Sequence, residues 1–543
     1  MGQNDIRDYA SEYRAFRWQV PAQFNFGADV VDHWARTADG PALVWCNAAG
    51  EERRYSFSDI ARLTARLACG LRQRGVRKGD RVVVMLPRIP EWQVAMVACM
   101  KLGAVPIPCI EMLTTKDLAY RIDNAGAAAV IARADHAHKF ESLLGQLPVR
   151  VSVGDAKGWE SLDSVMRDGR EDFVPEKIAS EDPALLYYTS GSTGNPKGVL
   201  HASRAIHAWR EVAHTWLDLG RDDTIWCTAD TGWSKAGTSI LIGPWSMGAC
   251  AFFHDGPFDP KERLRLLAKY RVTVYCAPGT ELFRLVDEDI GSFDLGALRH
   301  VVSAGESLNP VVAQRWEQAS GVPVAEAYGQ TETLMTLVNV PRTPYKVGSM
   351  GVPNVGSVLE VVDEQGNVLP RGEEGDVALL TPNPQLMLGY WKDESRTEQS
   401  YLTAPDGRRW FITGDRGVRD ADGFFTYRGR RDDVISSAGY RIGPSEVENA
   451  ILDHPSVLET AVIGVPDRER GELVKAFIVL RPAFTPSDAL KKELQEHVKR
   501  TTAPYKYPRL IEFIGELPKT MTGKIQRVAL RTMERERAAA KAD

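Results

Sequence analysis

Residues 188–198 read YTSGSTGNPKG, a run of hydroxyls and glycines ending on a lysine between proline and glycine. Such a stretch has too little apolar side chain to bury as a strand or helix along its length. What it can do is wrap an anion. Glycines let the backbone approach closely and turn successive N–H groups toward phosphate oxygens. Thr189, Ser190, Ser192 and Thr193 add hydroxyl donors, and Lys197 adds charge. Gly191, Gly194 and Gly198 set the turns, and Lys197 precedes Gly198. A Walker A loop instead needs four residues between its glycine and a Gly-Lys-Ser/Thr. The apolar ALLYY just before the loop puts it at the carboxyl end of a strand, where α/β proteins bind ligands.

The elements that must position this loop belong to a long chain. At 543 residues it exceeds one hydrophobic core, and the length prior implies about three or four folding units. Hydrophobic residues at 43% and charged residues at 26% fit a soluble globular enzyme. With 67 basic against 72 acidic side chains the net charge is -5, which offers no general attraction for nucleic acid or anionic membrane. The seven cysteines are scattered and never in a metal-ligand spacing, so reduced core thiols in a cytoplasmic protein are expected. The first residues, MGQNDIRDYASEYRAF, carry charges throughout and do not read as a signal peptide. No apolar run approaches the roughly 18 residues of a membrane span.

From about residue 55 helical and strand signals alternate. SFSDIARLTARLACGLRQRG and PEWQVAMVACMKLG have helical spacing, with a Ser-x-x-Asp start in one and an early proline in the other. DRVVVML, AAAVIAR, TIWCTA, VTVYCAP and LRHVVSAGE are short apolar runs suited to buried strands. This is the rhythm of layered α/β sheets. Near residue 345 the pattern changes to period-two alternation with Gly-Asn and Gly-Glu turns, which predicts antiparallel structure. Past about 432 a compact strand, helix, strand, strand, helix, strand unit follows, and the last residues, RTMERERAAAKAD, read as a frayed, solvated helix.

The phosphate-wrapping stretch resembles the signature loop of the adenylate-forming ANL superfamily of acyl-CoA synthetases, peptide-synthetase adenylation domains and luciferases. EAYGQTET (326–333), TGD (413–415), GRRDDVISSAGYRIGPSEVE (429–448) and PKTMTGKIQR (518–527) are similar to the family's remaining motifs, in the family's order. FRWQVPAQFNFGADVVDHW resembles the entry segment of medium-chain acyl-CoA synthetases. The resemblance implies a multidomain α/β fold. Residues 1–431 would form a large adenylation domain of layered sheets with a β-barrel-like part at about 341–431. Residues 432–543 would form a small mobile α+β domain.

It further implies ATP, Mg2+ and CoA as the small molecules bound beside a carboxylic acid. Lys524 matches the family's catalytic lysine, which bridges the carboxylate and the α-phosphate. Thr331 matches the hydroxyl at the α-phosphate, and Glu332 the magnesium-binding acid. Asp415 has two carboxylate oxygens for the ribose diol, with Arg430 beside it. Gly305, Glu306 and Ser307, with Glu326, Ala327, Tyr328, Gly329 and Gln330, resemble the nucleotide-contacting segments. Asp432 matches the hinge about which the small domain swings. Gly439, Tyr440 and Arg441 belong to the face presented for thioester formation, and Arg470 and Lys499 are candidates for the CoA phosphates. PKTMTGK resembles a site acetylated in bacterial relatives, implying a lysine acetyltransferase and deacetylase acting on Lys524.

The acid is less legible. Acetate-activating relatives carry a tryptophan where this chain has Gly329, so the pocket is expected to be deeper and to take a medium-chain, branched or aromatic acid. DTGWSKAGTS (230–239) resembles the pocket lining: Trp233 offers an apolar wall, while Lys235 either faces the pocket or snorkels to solvent. The leading reading is an AMP-forming acyl-CoA synthetase. The alternatives are a ligase loading a carrier protein's phosphopantetheine, a non-catalytic nucleotide sensor and an oxygenase of luciferase type.

Overall fold

The computed structural model describes residues 8–189, 196–306, 308–344, 346–430, 433, 435–437, 440–467, 470–502, 505–520 and 524–539. Helix Phe57–Gln73 begins where Ser56 Oγ accepts from the Asp59 amide and the Asp59 carboxylate accepts from the Ser56 amide, a reciprocal cap. Helix Pro90–Leu102 is buried on nearly every face and stops at Gly103, whose φ of 72° is the left-handed turn glycine adopts without strain.

These helices cover two sheets. The larger has nine strands, ordered Val352–Pro353, Leu334–Val338, Val324–Gln330, His300–Ala304, Val274–Cys276, Thr224–Cys227, Cys250–Asp255, Pro41–Asn47 and Glu52–Ser56. The inner six run parallel and the outer ones antiparallel. The second sheet has five parallel strands, Val105–Pro108, Arg81–Met85, Ala127–Arg133, Val149–Val153 and Glu160–Ser161. All seven cysteines are buried free thiols, as their scatter predicts.

The strand before the phosphate-wrapping stretch, Pro183–Thr189, belongs to neither large sheet. It pairs antiparallel with Lys197–Ala202, which pairs in turn with Gly389–Tyr390. Ser190, Gly191, Ser192, Thr193 and Gly194 lie outside the described residues, but the Thr189↔Lys197 register fixes both ends of the connection. Residues 359–430 form the expected antiparallel sheet, centred on Arg409–Arg419.

The C-terminal residues build a separate five-stranded sheet around Gly471–Leu480, with helices Pro444–Leu452, Asp488–Thr501 and Arg527–Ala539. The last of these helices corrects the reading of a solvated tail. Leu530 is 1% exposed, Glu534 pairs with Lys475 at 2.8 Å, and Arg531 pairs with Asp433 at 2.8 Å. Its charges obscured a narrow apolar stripe that packs on the sheet. Arg481 reaches Asp287 at 3.8 Å and lies over Phe283, and Arg428 stands 3.7 Å from Glu446, so ion pairs join this unit to the larger part.

Three buried histidines, His201, His254 and His300, are pushed down to a pKa of about 4 by burial. Each binds a proton more readily unfolded than folded, so each withdraws stability as pH falls from about 6.5 toward 4. Glu111 and Glu326, raised by burial to about 7, act in the opposite sense. The histidine contribution is therefore isolated by a difference. Wild type minus His300→Gln unfolding free energy is expected to fall by about 1–3 kcal/mol between neutral and mildly acid pH. A difference independent of pH would mean that His300 protonates alike in both states.

Candidate active site

The Gln330–Thr333 turn is held by its carbonyls from several sides. His201 Nε2 donates to the Thr331 oxygen at 2.8 Å, the Met387 amide to that of Glu332 at 2.9 Å, and Gln385 Nε2 to that of Thr333 at 2.9 Å. With the backbone as it stands, the strand entering the turn takes glycine at 329, because a Cβ there would lie 1.7 Å from the Leu334 carbonyl oxygen and force the chain to shift. This backbone approach gives Gly329 a reason to be small that is independent of pocket depth.

Glu332 is buried, and its Oε1 accepts from Lys197 Nζ at 2.5 Å and Tyr390 Oη at 2.9 Å; Lys197 also meets Tyr390 Oη at 3.0 Å. Burial alone would raise this carboxyl, but the lysine charge and these hydrogen bonds outweigh it and hold it below the ordinary carboxylate range. Lys197, expected in the phosphate grip, is thus paired with the expected magnesium ligand. Tyr390 escaped the sequence reading, since a two-residue strand carries no periodicity. The aromatic after Gly389 in LGYW was the only signal.

Asp415 lies on strand Arg409–Arg419, directly after Gly414 at φ 73°. Its Oδ2 already accepts from Tyr328 Oη and Gln330 Nε2, both at 2.6 Å, while Oδ1 stands 3.3 Å from Arg430 Nη1. One oxygen is therefore committed to the protein, and a diol would be received chiefly by the other. Burial pushes this carboxyl up, against the lowering influence of Arg430, Tyr328, Gln330 and the more distant Lys524. Lys524 is exposed, at the neck of a turn closed by Thr520 N to Lys524 O at 2.7 Å and Lys524 N to Thr520 Oγ1 at 3.1 Å.

The segments at 305–306 and 326–330 are braced by their acids. Gly305 adopts φ 95°, and Glu306 accepts from the Thr280 amide at the start of helix Gly279–Leu285. The Glu326 carboxylate accepts from the Leu308 and Gly348 amides at 3.2 and 3.1 Å, and Ala327 sits in the same strand, paired with Ala304. Lys235 is 8% exposed and donates to the Ala304 carbonyl at 2.9 Å, which overturns the solvent-snorkelling alternative. Trp233 packs where the cores of the two large sheets meet.

Among the described residues, the thioester-side candidates make contacts within the C-terminal unit. Strand Tyr440–Ile442 pairs with Ile435–Ser437, the Arg470 amide bonds to Asp467, and Lys499 pairs with Glu496 at 2.6 Å over the Tyr507 ring. Ser307, Asp432 and Gly439 lie outside the described residues.

Comparison with known proteins gives the family. The AMP-binding enzyme family matches residues 30–391, and the AMP-binding enzyme C-terminal domain matches residues 446–524. Acyl-coenzyme A synthetase ACSM3, mitochondrial, from Rattus norvegicus is 41% identical, over 98% of this chain and 94% of its own. The human mitochondrial acyl-coenzyme A synthetase ACSM5 is 41% identical, over 95% and 92%. The structure of an anthranilate CoA ligase, AuaEII, in complex with anthranoyl-AMP superposes with a TM-score of 0.87 at 30% identity, covering 96% of this chain and 99% of that one. A benzoate CoA ligase from Burkholderia xenovorans LB400 gives 0.82 at 28%, covering 94% and 100%. With matches to both parts of the family and relatives aligned almost end to end, the chain belongs to the AMP-binding enzyme family of adenylate-forming ligases.

Proposed function

We propose that this enzyme is an AMP-forming acyl-CoA synthetase. A carboxylate attacks the α-phosphate of ATP to give acyl-AMP and pyrophosphate; the CoA thiol then attacks the acyl carbon and AMP leaves. The observation that carries the reading is the meeting of two motifs from distant parts of the chain: Thr331–Glu332 lies beside Gln330, and Gln330 donates to Asp415 at 2.6 Å.

Opposing charge is the main obstacle to the first step, because a carboxylate must approach a polyphosphate. A mobile ammonium such as Lys524, arriving from another unit, lowers that repulsion where charge develops. The hydroxyl of Thr331 would donate to the α-phosphate, and Asp415 with Arg430 would hold the ribose. The loop at 189–197 would hold the phosphates that leave, its glycines giving N–H groups and its hydroxyls further donors. Glu332 fits a magnesium ion. It is buried and held ionised, and magnesium uses one or two carboxylates plus substrate phosphates. When bound, the ion would supply charge to the departing pyrophosphate.

Residues 1–431 and 432–543 would act as two bodies hinged at Asp432. One pose would present Lys524 for adenylation. The other would present Gly439, Tyr440 and Arg441 to the pantetheine arm, with Arg470 and Lys499 toward the CoA phosphates. Lys524 is exposed, so an acetyltransferase could reach it, and acetylation would remove the charge that adenylation needs. A cytoplasmic setting fits the buried free thiols, while the ACSM relatives are named mitochondrial. Among the described residues no helix is long and apolar enough to cross a membrane.

The proposed acids are medium-chain, branched or aromatic. A panel from acetate to dodecanoate with branched and aromatic acids, read by CoA-dependent pyrophosphate release, tests this. Medium-chain or aromatic acids are expected to exceed acetate by about tenfold or more in kcat/KM. Lys235→Met is expected to alter the ranking, because it removes the buried ammonium behind Ala304. A preference for acetate unchanged by that variant would refute the assignment.

A further inference from the structure

Strand Lys197–Ala202 turns one face toward the candidate site, and two alternate residues on that face grip consecutive residues of the facing turn. Lys197 Nζ holds the Glu332 carboxylate at 2.5 Å, and four positions on His201 Nε2 stands 2.8 Å from the Thr331 carbonyl oxygen. A carbonyl only accepts, so Nε2 carries the hydrogen and Nδ1 is left a bare acceptor. Nδ1 is buried and has no hydrogen-bond partner among the described residues.

The ring cannot turn to another partner. His201 is 0% exposed, set edge-on to Trp209 with centroids 4.9 Å apart and flanked by Tyr187 at 6.5 Å. A histidine kept only for packing would have no cause to bury an orphan nitrogen, since an apolar ring fills the same space without one. The orphan is the cost of placing Nε2–H on Thr331. Beyond that carbonyl, Thr331 Oγ1 meets Ser234 Oγ at 3.2 Å, at the start of the short helix carrying Lys235. Thr331 is thereby fixed at its backbone by His201 and at its hydroxyl against the acyl-side loop.

We propose that His201 is a positioning residue for adenylation: its Nε2–H pins the Thr331 carbonyl, and so sets where the Thr331 hydroxyl and the Glu332 carboxylate face the α-phosphate. This rests on the adenylation reading of Thr331 and Glu332. The imidazole does no proton transfer; burial keeps it neutral, with its pKa down to about 4. Its work is geometric, and displacements of about 1 Å at a reacting centre can cost about a hundredfold in rate.

The test uses amide isosteres in the full-length enzyme. In His201→Gln the amide nitrogen reaches the place of Nε2, whereas in His201→Asn it reaches only the place of Nδ1. Acid-dependent ATP–pyrophosphate exchange is measured for both, beside Thr331→Ala. We expect His201→Asn to lower kcat by about a hundredfold while KM for ATP changes by less than about threefold, and His201→Gln to recover most of the loss. Wild-type exchange in His201→Asn, equal impairment of the two isosteres, or failure of both to fold would overturn the inference. Full exchange in Thr331→Ala would instead overturn the adenylation reading beneath it.

Discussion

Lys524→Ala is expected to lower acid-dependent ATP–pyrophosphate exchange by about a thousandfold or more, while CoA attack on supplied acyl-AMP stays within about tenfold of wild type. The split follows from position. Lys524 stands at the neck of a turn in the C-terminal unit, exposed. A cation so placed offsets the repulsion of the first step, in which a carboxylate meets triphosphate. It has nothing comparable to offset when a thiol attacks a carbonyl. Lysine rather than arginine suits the task, since a compact ammonium on a flexible stem can reach in without a fixed planar partner. Enzyme acetylated at Lys524 is expected to show the same selective loss. Equal loss of both half-reactions would refute the assignment of Lys524 to the first step, and full activity after acetylation would refute the proposed control.

Glu332→Gln is expected to cost both activity and stability, and the two losses can be separated. Exchange should fall by about a hundredfold to a thousandfold, because the ionised acid at the phosphates is gone. Stability should fall by about 1–3 kcal/mol, since Lys197 loses its charge partner in a largely buried place. That figure is kept low because the Lys197 side chain is 24% exposed, so water screens part of the loss. Adding Lys197→Met to Glu332→Gln removes the stranded ammonium. The double variant is expected to recover stability in urea denaturation without recovering exchange. If the double variant melted no higher than Glu332→Gln alone, the pair would not hold the fold as described. If exchange also returned, Glu332 would have no role in the chemistry.

Much of this architecture was legible because local signals were strong. The Ser-x-x-Asp start of helix Phe57–Gln73 and the early proline of Pro90–Leu102 stand where they were expected, and each apolar run became a buried strand. The terminal helix was misread because its apolar stripe is narrow amid charges that pair with Asp433, Glu512 and Lys475 from distant sequence. Lys235 was ambiguous for a related reason. A lysine in an apolar segment reads as solvent-seeking until the Ala304 carbonyl is brought to it by the parallel sheet.

The site divided in the same way. Glu332, Asp415 and Lys524 stand in contiguous motifs and are candidates on that ground. Their partners could not. Tyr390 meets Glu332 from 58 residues away, and His201 meets Thr331 from 130 residues away. Neither separation leaves a trace in local pattern, and a lone histidine on a strand is ordinarily a core residue. The expectation drawn from Gly329 shows a different limit. The position was read for pocket depth, and its close backbone neighbour, the Leu334 carbonyl, is a second reason for glycine that the sequence does not show.

The central claim is that the acid is activated as an acyl-adenylate, and isotope transfer tests it most directly. A carboxylic acid labelled with 18O in both oxygens is incubated with ATP, CoA and the enzyme, and the products are analysed by mass spectrometry. Attack of the carboxylate on the α-phosphate, followed by cleavage between the acyl carbon and its bridging oxygen, must leave one 18O in AMP and one in acyl-CoA. Pyrophosphate must remain unlabelled. Label in inorganic phosphate with release of ADP, or acyl-CoA formed without 18O in AMP, would contradict the account.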